Sequence, residues 1–173
     1  LPENIATKNY FVIGNYLYIT GANRNNNGIL ILRVDLTTFN TEYLLTDYVY
    51  DDVTATVYNI DPVSYNKLLI IPRADVLNGW FYDIAKGEFA PGPTIPTDMR
   101  NKRLKSFTLK NGDVVYFNDQ PDSDSFNKYW IYKTSTNTIE EFYTVDEHFN
   151  FAVNLRAGRI LLFTEDKKPY LFG

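Results

Sequence analysis

The chain has a single histidine, His148 in the run VDEHFNF, and no cysteine. Disulfides, thiolate zinc sites, multi-histidine metal sites and a cysteine nucleophile are therefore excluded together. A Ser-His-Asp relay would have to run through His148. Its acidic neighbours Asp146 and Glu147 are adjacent to it in sequence, not set where they would orient the ring. The segment NDQPDSDSFN carries Asp119, Asp122 and Asp124. Such carboxylates could serve a hard cation such as Ca²⁺, which takes about 6–8 oxygen ligands. The central glycine and terminal glutamate of an EF-hand loop are missing, so calcium is the one cofactor expectation and a solvated polar loop is the ordinary reading. Asp119 with Asp146 is the pair through which a carboxylate-based hydrolase or lyase would work, if the fold brought them into one pocket. The stretch DMRNKRLK gathers Arg100, Lys102, Arg103 and Lys105, a cluster able to hold a phosphate or an acidic partner. Trp80, Tyr82, Trp130 and Tyr132 could stack on sugars, although packing inside the fold is the commoner use of large rings. No G-x-S-x-G, P-loop or G-x-G-x-x-G motif occurs.

These residues need a scaffold, and the composition points to β-structure. Of 173 residues, 45% are hydrophobic and 16% aromatic, with 14 Tyr and 12 Phe. Such residues suit a pleated, half-buried surface. No 11-residue window carries the i, i+3, i+4, i+7 pattern of an amphipathic helix with a plausible cap. A formal net charge of -4 disfavours nucleic acid, which needs a basic face. No apolar run approaches the roughly 18 residues of a membrane helix. The opening LPENIATKNY shows neither Met nor a signal pattern, so a processed product or a fragment is expected and the compartment stays open.

A repeat organises the chain. Turn sites at Gly14-Asn15, Tyr65-Asn66, Asn111-Gly112 and Ala157-Gly158 recur roughly every 46–51 residues. The apolar runs YLYIT, KLLIIP, DVVYFN and RILLFT follow them. Asn-Gly is the dipeptide of a two-residue type I′ hairpin, which needs positive φ at both central positions. A second hairpin repeats as well, in GILILRVDLTTFNTEYLL, GWFYDIAKGEFAPG and KYWIYKTSTNTIEEFYTV, with Asp35 and Asp83 at matching points. Each unit is four strands, a to d, with tight a–b and c–d turns and longer b–c loops. Four strands in about 40–50 residues are the signature of a β-propeller blade. The expected repeats are 10–52, 53–102, 103–149 and a partial 150–173, in one propeller region spanning 1–173. A β-sandwich is the alternative.

The run GWFYDIAKGEFAPGPTIPTDMRNKR followed by LKSFTLKNGDVVYF resembles a Kelch-type blade boundary. Tyr82-Asp83 match that family's strand c pair, and Phe89 stands where it commonly has Trp. Pro93 and Pro96 match its prolines, and Arg100 or Arg103 its arginine. The family's paired glycines after strand b are absent from IIPRAD, YFNDQP and LFTEDK. The resemblance implies a propeller.

In a propeller the b–c loops and d-to-a connections emerge on one face, and loops on a rigid scaffold are the usual place for recognition. Here those segments hold Arg24, Arg73, Asp75, Arg100, Asp119, Asp146 and His148, the expected binding set. The expected function is a non-catalytic interaction or scaffold module for a protein partner, with a glycan second. The other classes are the carboxylate hydrolase or lyase and a structural part of a virion or surface assembly. Three and a half units leave strand edges and apolar flanks open, so a homo-oligomer or the remainder of a longer chain is the expected means of closure.

Overall fold

The computed structural model describes residues 5–23, 27–49, 53, 55, 57–118, 128–144, 149–154, 160–164 and 169–172. Among these residues there is no helix, and the strands form four separate antiparallel sheets. The first contains β1 (Ile5–Ile13), β2 (Tyr16–Asn23), β3 (Ile29–Asp35) and β4 (Thr41–Tyr48). The second contains β5 (Tyr58–Ser64), β6 (Lys67–Pro72), β7 (Asn78–Asp83) and β8 (Glu88–Thr94). The third contains β9 (Leu104–Thr108), β10 (Val114–Asn118), β11 (Lys128–Lys133) and β12 (Thr138–Thr144). β13 (Phe149–Asn154), β14 (Ile160–Thr164) and β15 (Pro169–Phe172) make a three-stranded fourth. Strand order follows chain order in every sheet. A sandwich would require two facing sheets; the three four-stranded meanders are instead consistent with propeller blades.

Side-chain alternation stacks the sheets. In the second sheet Leu68, Ile70, Trp80 and Tyr82 pack with Ile13, Tyr18, Ile29 and Ile31 of the first. The intervening Leu69, Ile71 and Phe81 pack with Val114, Tyr116, Trp130 and Tyr132 of the third. A sheet covered on both faces needs apolar residues at consecutive positions, which is why KLLIIP and GWFYD do not alternate. Trp80, Tyr82, Trp130 and Tyr132 are all buried in these two layers, the packing use of large rings and not sugar stacking: their faces are taken by neighbouring sheets.

The first strands of successive sheets lie side by side, β1 against β5 and β5 against β9. A polar ladder joins them. Asn9 Nδ2 donates to Asp61 Oδ1 at 3.3 Å and Ser106 Oγ donates to the same oxygen at 2.8 Å. Asn59 Nδ2 donates to Ser106 Oγ at 3.2 Å and to the Leu104 carbonyl at 3.3 Å.

The tight turns sit together at one end of each sheet. The Leu36 amide donates to the Asn15 carbonyl at 2.9 Å, and Ile84 to Asn66 at 2.8 Å. In the third sheet Asp113 Oδ1 accepts from the Thr134 amide at 2.8 Å. Asp35 and Asp83 do the same job in their own c–d turns, each accepting two amides two and three residues on. Asn111-Gly112 departs from the type I′ expectation. Only Gly112 has positive φ, at 87°, and the loop runs from Leu109 to Asp113, closed by Leu109 N–H to the Asp113 carbonyl at 2.7 Å. The loop is packed under the second sheet: a Cβ on Gly112 would stand 2.3 Å from the Val63 carbonyl oxygen. Ala157-Gly158 lies outside the described residues.

Candidate functional site

With the tight turns at one end, the b–c loop of the second sheet and the connection from β8 to β9 meet at the other. Two buried side chains pin that connection, Ile95 at its start and Met99 in its middle. Pro96 opens a turn closed by the Met99 amide on the Pro96 carbonyl at 3.0 Å. Asn101 takes φ 53°, a conformation Asn tolerates better than other residues carrying a Cβ, and its amide reaches the Ala74 carbonyl at 3.1 Å. The Ile95 amide bonds Leu77 at 2.7 Å. Loop and connection are thus laced together by their backbones, and the polar side chains between the apolar plugs are left at the surface.

They border a cavity of about 480 Å³ lined by Asp75, Thr97, Asp98, Arg100, Asn101, Lys102 and Lys128. Arg100 Nε donates to the Ile95 carbonyl at 3.0 Å, and Nη1 lies 3.9 Å from Asp75 Oδ1. Asp75 is largely exposed, so this pair is a weak surface contact that an incoming group can displace. Lys128 Nζ is held between Asp98 Oδ2 at 2.7 Å and Glu141 Oε2 at 3.1 Å. Those hydrogen bonds, Asp98 first, raise the pKa of its ammonium group. Lys102 makes no ion pair among the described residues. The cavity therefore offers cationic donors and carboxylate acceptors within one opening, suited to a partner carrying both charge signs.

Of the expected binding residues, the structure brings Asp75 and Arg100 into this cavity. Arg73 lies at the same end, its amide bonded to the Val57 carbonyl at 2.8 Å, but does not line it. Arg24, Asp119, Asp122, Asp124, Asp146 and His148 lie outside the described residues, and with them the calcium and hydrolase expectations. Among the described residues no group of three or more His, Asp or Glu could hold a metal ion. Sequence reading missed Thr97, Asp98, Asn101 and Lys128. Asp98 stands inside the basic DMRNKR run and carries a visible signal, an acid among bases; Lys128 carries none, because its partner is 30 residues away.

A second, smaller cavity of about 250 Å³ lies at the turn end of the first sheet, around Tyr16, Arg33, Asp35 and Glu42. Arg33 is already engaged there, paired to Glu42 Oε2 at 2.5 Å and set 4.7 Å over the Tyr16 ring.

No family model matches the sequence, and no curated protein matches it. Among solved structures, the fold is similar to that of an auxiliary nutrient binding protein from Bacteroides thetaiotaomicron, with a TM-score of 0.59 and 10% sequence identity. The match covers 95% of this chain and 41% of that one. The chain thus spans less than half the length of that protein, and at this identity the likeness is one of fold. Among the described residues no helix is long and apolar enough to cross a membrane.

Proposed function

We propose that the chain is a non-catalytic, Kelch-like propeller module that binds a protein partner through the face formed by its b–c loops and d-to-a connections. The observation that carries this reading is the mixed-charge cavity between the second sheet's b–c loop and the β8–β9 connection, where Asp75 and Arg100 meet. A rigid rim with exposed, exchangeable ion pairs favours recognition of a polar protein surface and sets orientation and on-rate more than raw affinity. The Kelch-like part of the reading is supported by Asp83 capping its turn and by Phe89 standing opposite Tyr82 on the neighbouring strand.

The test is affinity capture with the intact chain and with an Asp75→Lys, Arg100→Glu, Lys102→Glu variant. Loss of the captured protein, with at least a tenfold weaker Kd for it on titration, supports the reading. Capture of the same protein with unchanged affinity removes this face as the site.

A second reading is a small polar nutrient such as a glycan. It is favoured by the likeness to a protein named for nutrient binding and by a cavity volume within the roughly 300–1,000 Å³ of small-molecule sites. Saturation-transfer NMR against a panel of oligosaccharides separates the two: signal that the same triple variant abolishes supports the nutrient reading.

A further inference from the structure

Arg100 is oriented by the fold but not consumed by it. Its Nε donates to the carbonyl of Ile95 at 3.0 Å, and Ile95 is itself fully buried. That bond fixes the plane of the guanidinium and uses one of its five donors. The side chain is only 21% exposed, yet among the described residues neither terminal nitrogen makes a hydrogen bond. Asp75 Oδ1 lies 3.9 Å from Nη1, and the Asp75 side chain is 83% exposed. The separation exceeds hydrogen-bonding range, and a carboxylate so exposed is held by water as much as by the arginine. The other cations of the cavity divide in the same way. Lys128 is taken by Asp98 and Glu141, whereas Lys102, partly buried in the same lining, has no ion pair among the described residues. Two cations in one opening therefore keep donors to spare.

We propose that Arg100 and Lys102 hold a carboxylate side chain, Asp or Glu, of the partner protein, which takes the place of Asp75 on the arginine. The proposal rests on the reading of this face as a protein-binding one and names the group that the face recognises. Three features select a carboxylate. With Nε engaged, Nη1 and Nη2 remain as a fork, and two carboxylate oxygens match such a fork in a bidentate pair. Asp75 already presents the same group to Arg100 in the free chain, so binding exchanges like for like and returns Asp75 to water. Asp75 and Asp98 both line the opening, so a single negative charge is accommodated where a phosphate dianion would meet two carboxylates. The gain comes from geometry: a bidentate pair on a largely shielded arginine replaces a long contact to an exposed acid.

The probe is the capped tripeptide acetyl-Gly-Glu-Gly-amide, titrated at low salt into the isotope-labelled intact chain and followed by NMR. Acetyl-Gly-Gln-Gly-amide and inorganic phosphate are the parallel arms. The Glu peptide should give saturable shifts of the Arg100 Nε–H signal and of the Thr97 and Asn101 amides, and the Gln peptide none. Arg100→Lys keeps the charge but removes the fork, and should weaken the Glu peptide about tenfold. Asp75→Asn removes the competing carboxylate and should tighten it about two- to fivefold, the range of an exposed ion pair. Asp75 lies at the surface, so this variant tests the exchange even if Arg100→Lys proves unfolded by circular dichroism. No response to the Glu peptide, an equal response to the Gln peptide or to phosphate, or an Asp75→Asn chain that binds no tighter overturns the proposal. Affinity capture separates it from the wider reading. A partner captured by Arg100→Lys with unchanged Kd overturns the carboxylate anchor and leaves the face standing. Glu peptide binding with no protein captured upholds the carboxylate site and removes the protein partner.

Discussion

Phe39 has φ 58° and is 75% exposed. It fills the fourth position of the first sheet's c–d turn, where the second sheet has Gly87 at φ 70° and the third has Asn137 at φ 57°. The left-handed region costs an L residue about 1–2 kcal/mol, less for Asn. Phe39→Asn should therefore stabilise the chain by roughly 1 kcal/mol, read as a raised urea midpoint; a lowered midpoint would show that the ring makes a contact worth more than the strain. Asp61 is a costlier residue. It is 1% exposed, its Oδ2 has no partner, and the nearby Tyr116 hydroxyl has none either. Burial pushes its pKa up to about 6, against the pull of the Ser106 hydroxyl. A folded-state pKa above the unfolded value means that the folded chain holds this proton more tightly. The associated stability is present below about pH 4 and lost as pH rises toward 6, on the order of 2–3 kcal/mol. Asp61→Asn keeps an acceptor for Ser106 and Asn9 and adds a donor for Tyr116. Its unfolding free energy should exceed that of the parent at pH 7.5 by about 1–3 kcal/mol, with the gap narrowing through pH 5 and closing below about pH 4. A gap independent of pH would mean that Asp61 does not titrate in this range.

Among the elements, those closed by local chemistry were legible in the sequence. Asp35 and Asp83 stand at matching points of a repeated hairpin, and each caps a c–d turn. Asn111-Gly112 was legible as a turn but not as to its kind. The loop lies against the Val63 carbonyl of the second sheet, and within it only Gly112 takes the left-handed region. The β8–β9 connection is ordered by Ile95 and Met99, whose partners come from another sheet. A single hydroxyl serves similarly between the first two sheets: Tyr58 OH donates to the Asn27 carbonyl at 2.8 Å and accepts from the Ala55 amide at 3.0 Å. Tyr58→Phe leaves that buried amide without its partner, and a loss of about 1–3 kcal/mol is expected. Hydrogen exchange at Ala55 should accelerate with it; an unchanged exchange rate would place the amide's protection elsewhere.

For the molecule as a whole, stacking governs both stability and surface. The second sheet has neighbours on both faces, so β6 and β7 are apolar at successive positions, and its polar side chains lie in the β5 ladder through Asn59 and Asp61 and at the two ends. The turn end is consumed by its own hydrogen bonds, Asn15 to Leu36 and Asn66 to Ile84. The opposite end keeps side chains free enough to meet a partner, which is why the mixed-charge cavity opens there.

The sequence by itself determined the all-β class, the four-stranded units and the end of the sheets from which the long loops emerge. Those properties depend on short apolar, aromatic-rich runs and on turn residues, which act over a few positions of chain. Only the tertiary structure decided that Ile95 and Met99 plug the β8–β9 connection, that Asp98 holds Lys128 at the rim of a cavity, and that Asp61 is buried with an oxygen left unpartnered. Each of these depends on what a neighbouring sheet places opposite the residue, and residue type does not encode that neighbour.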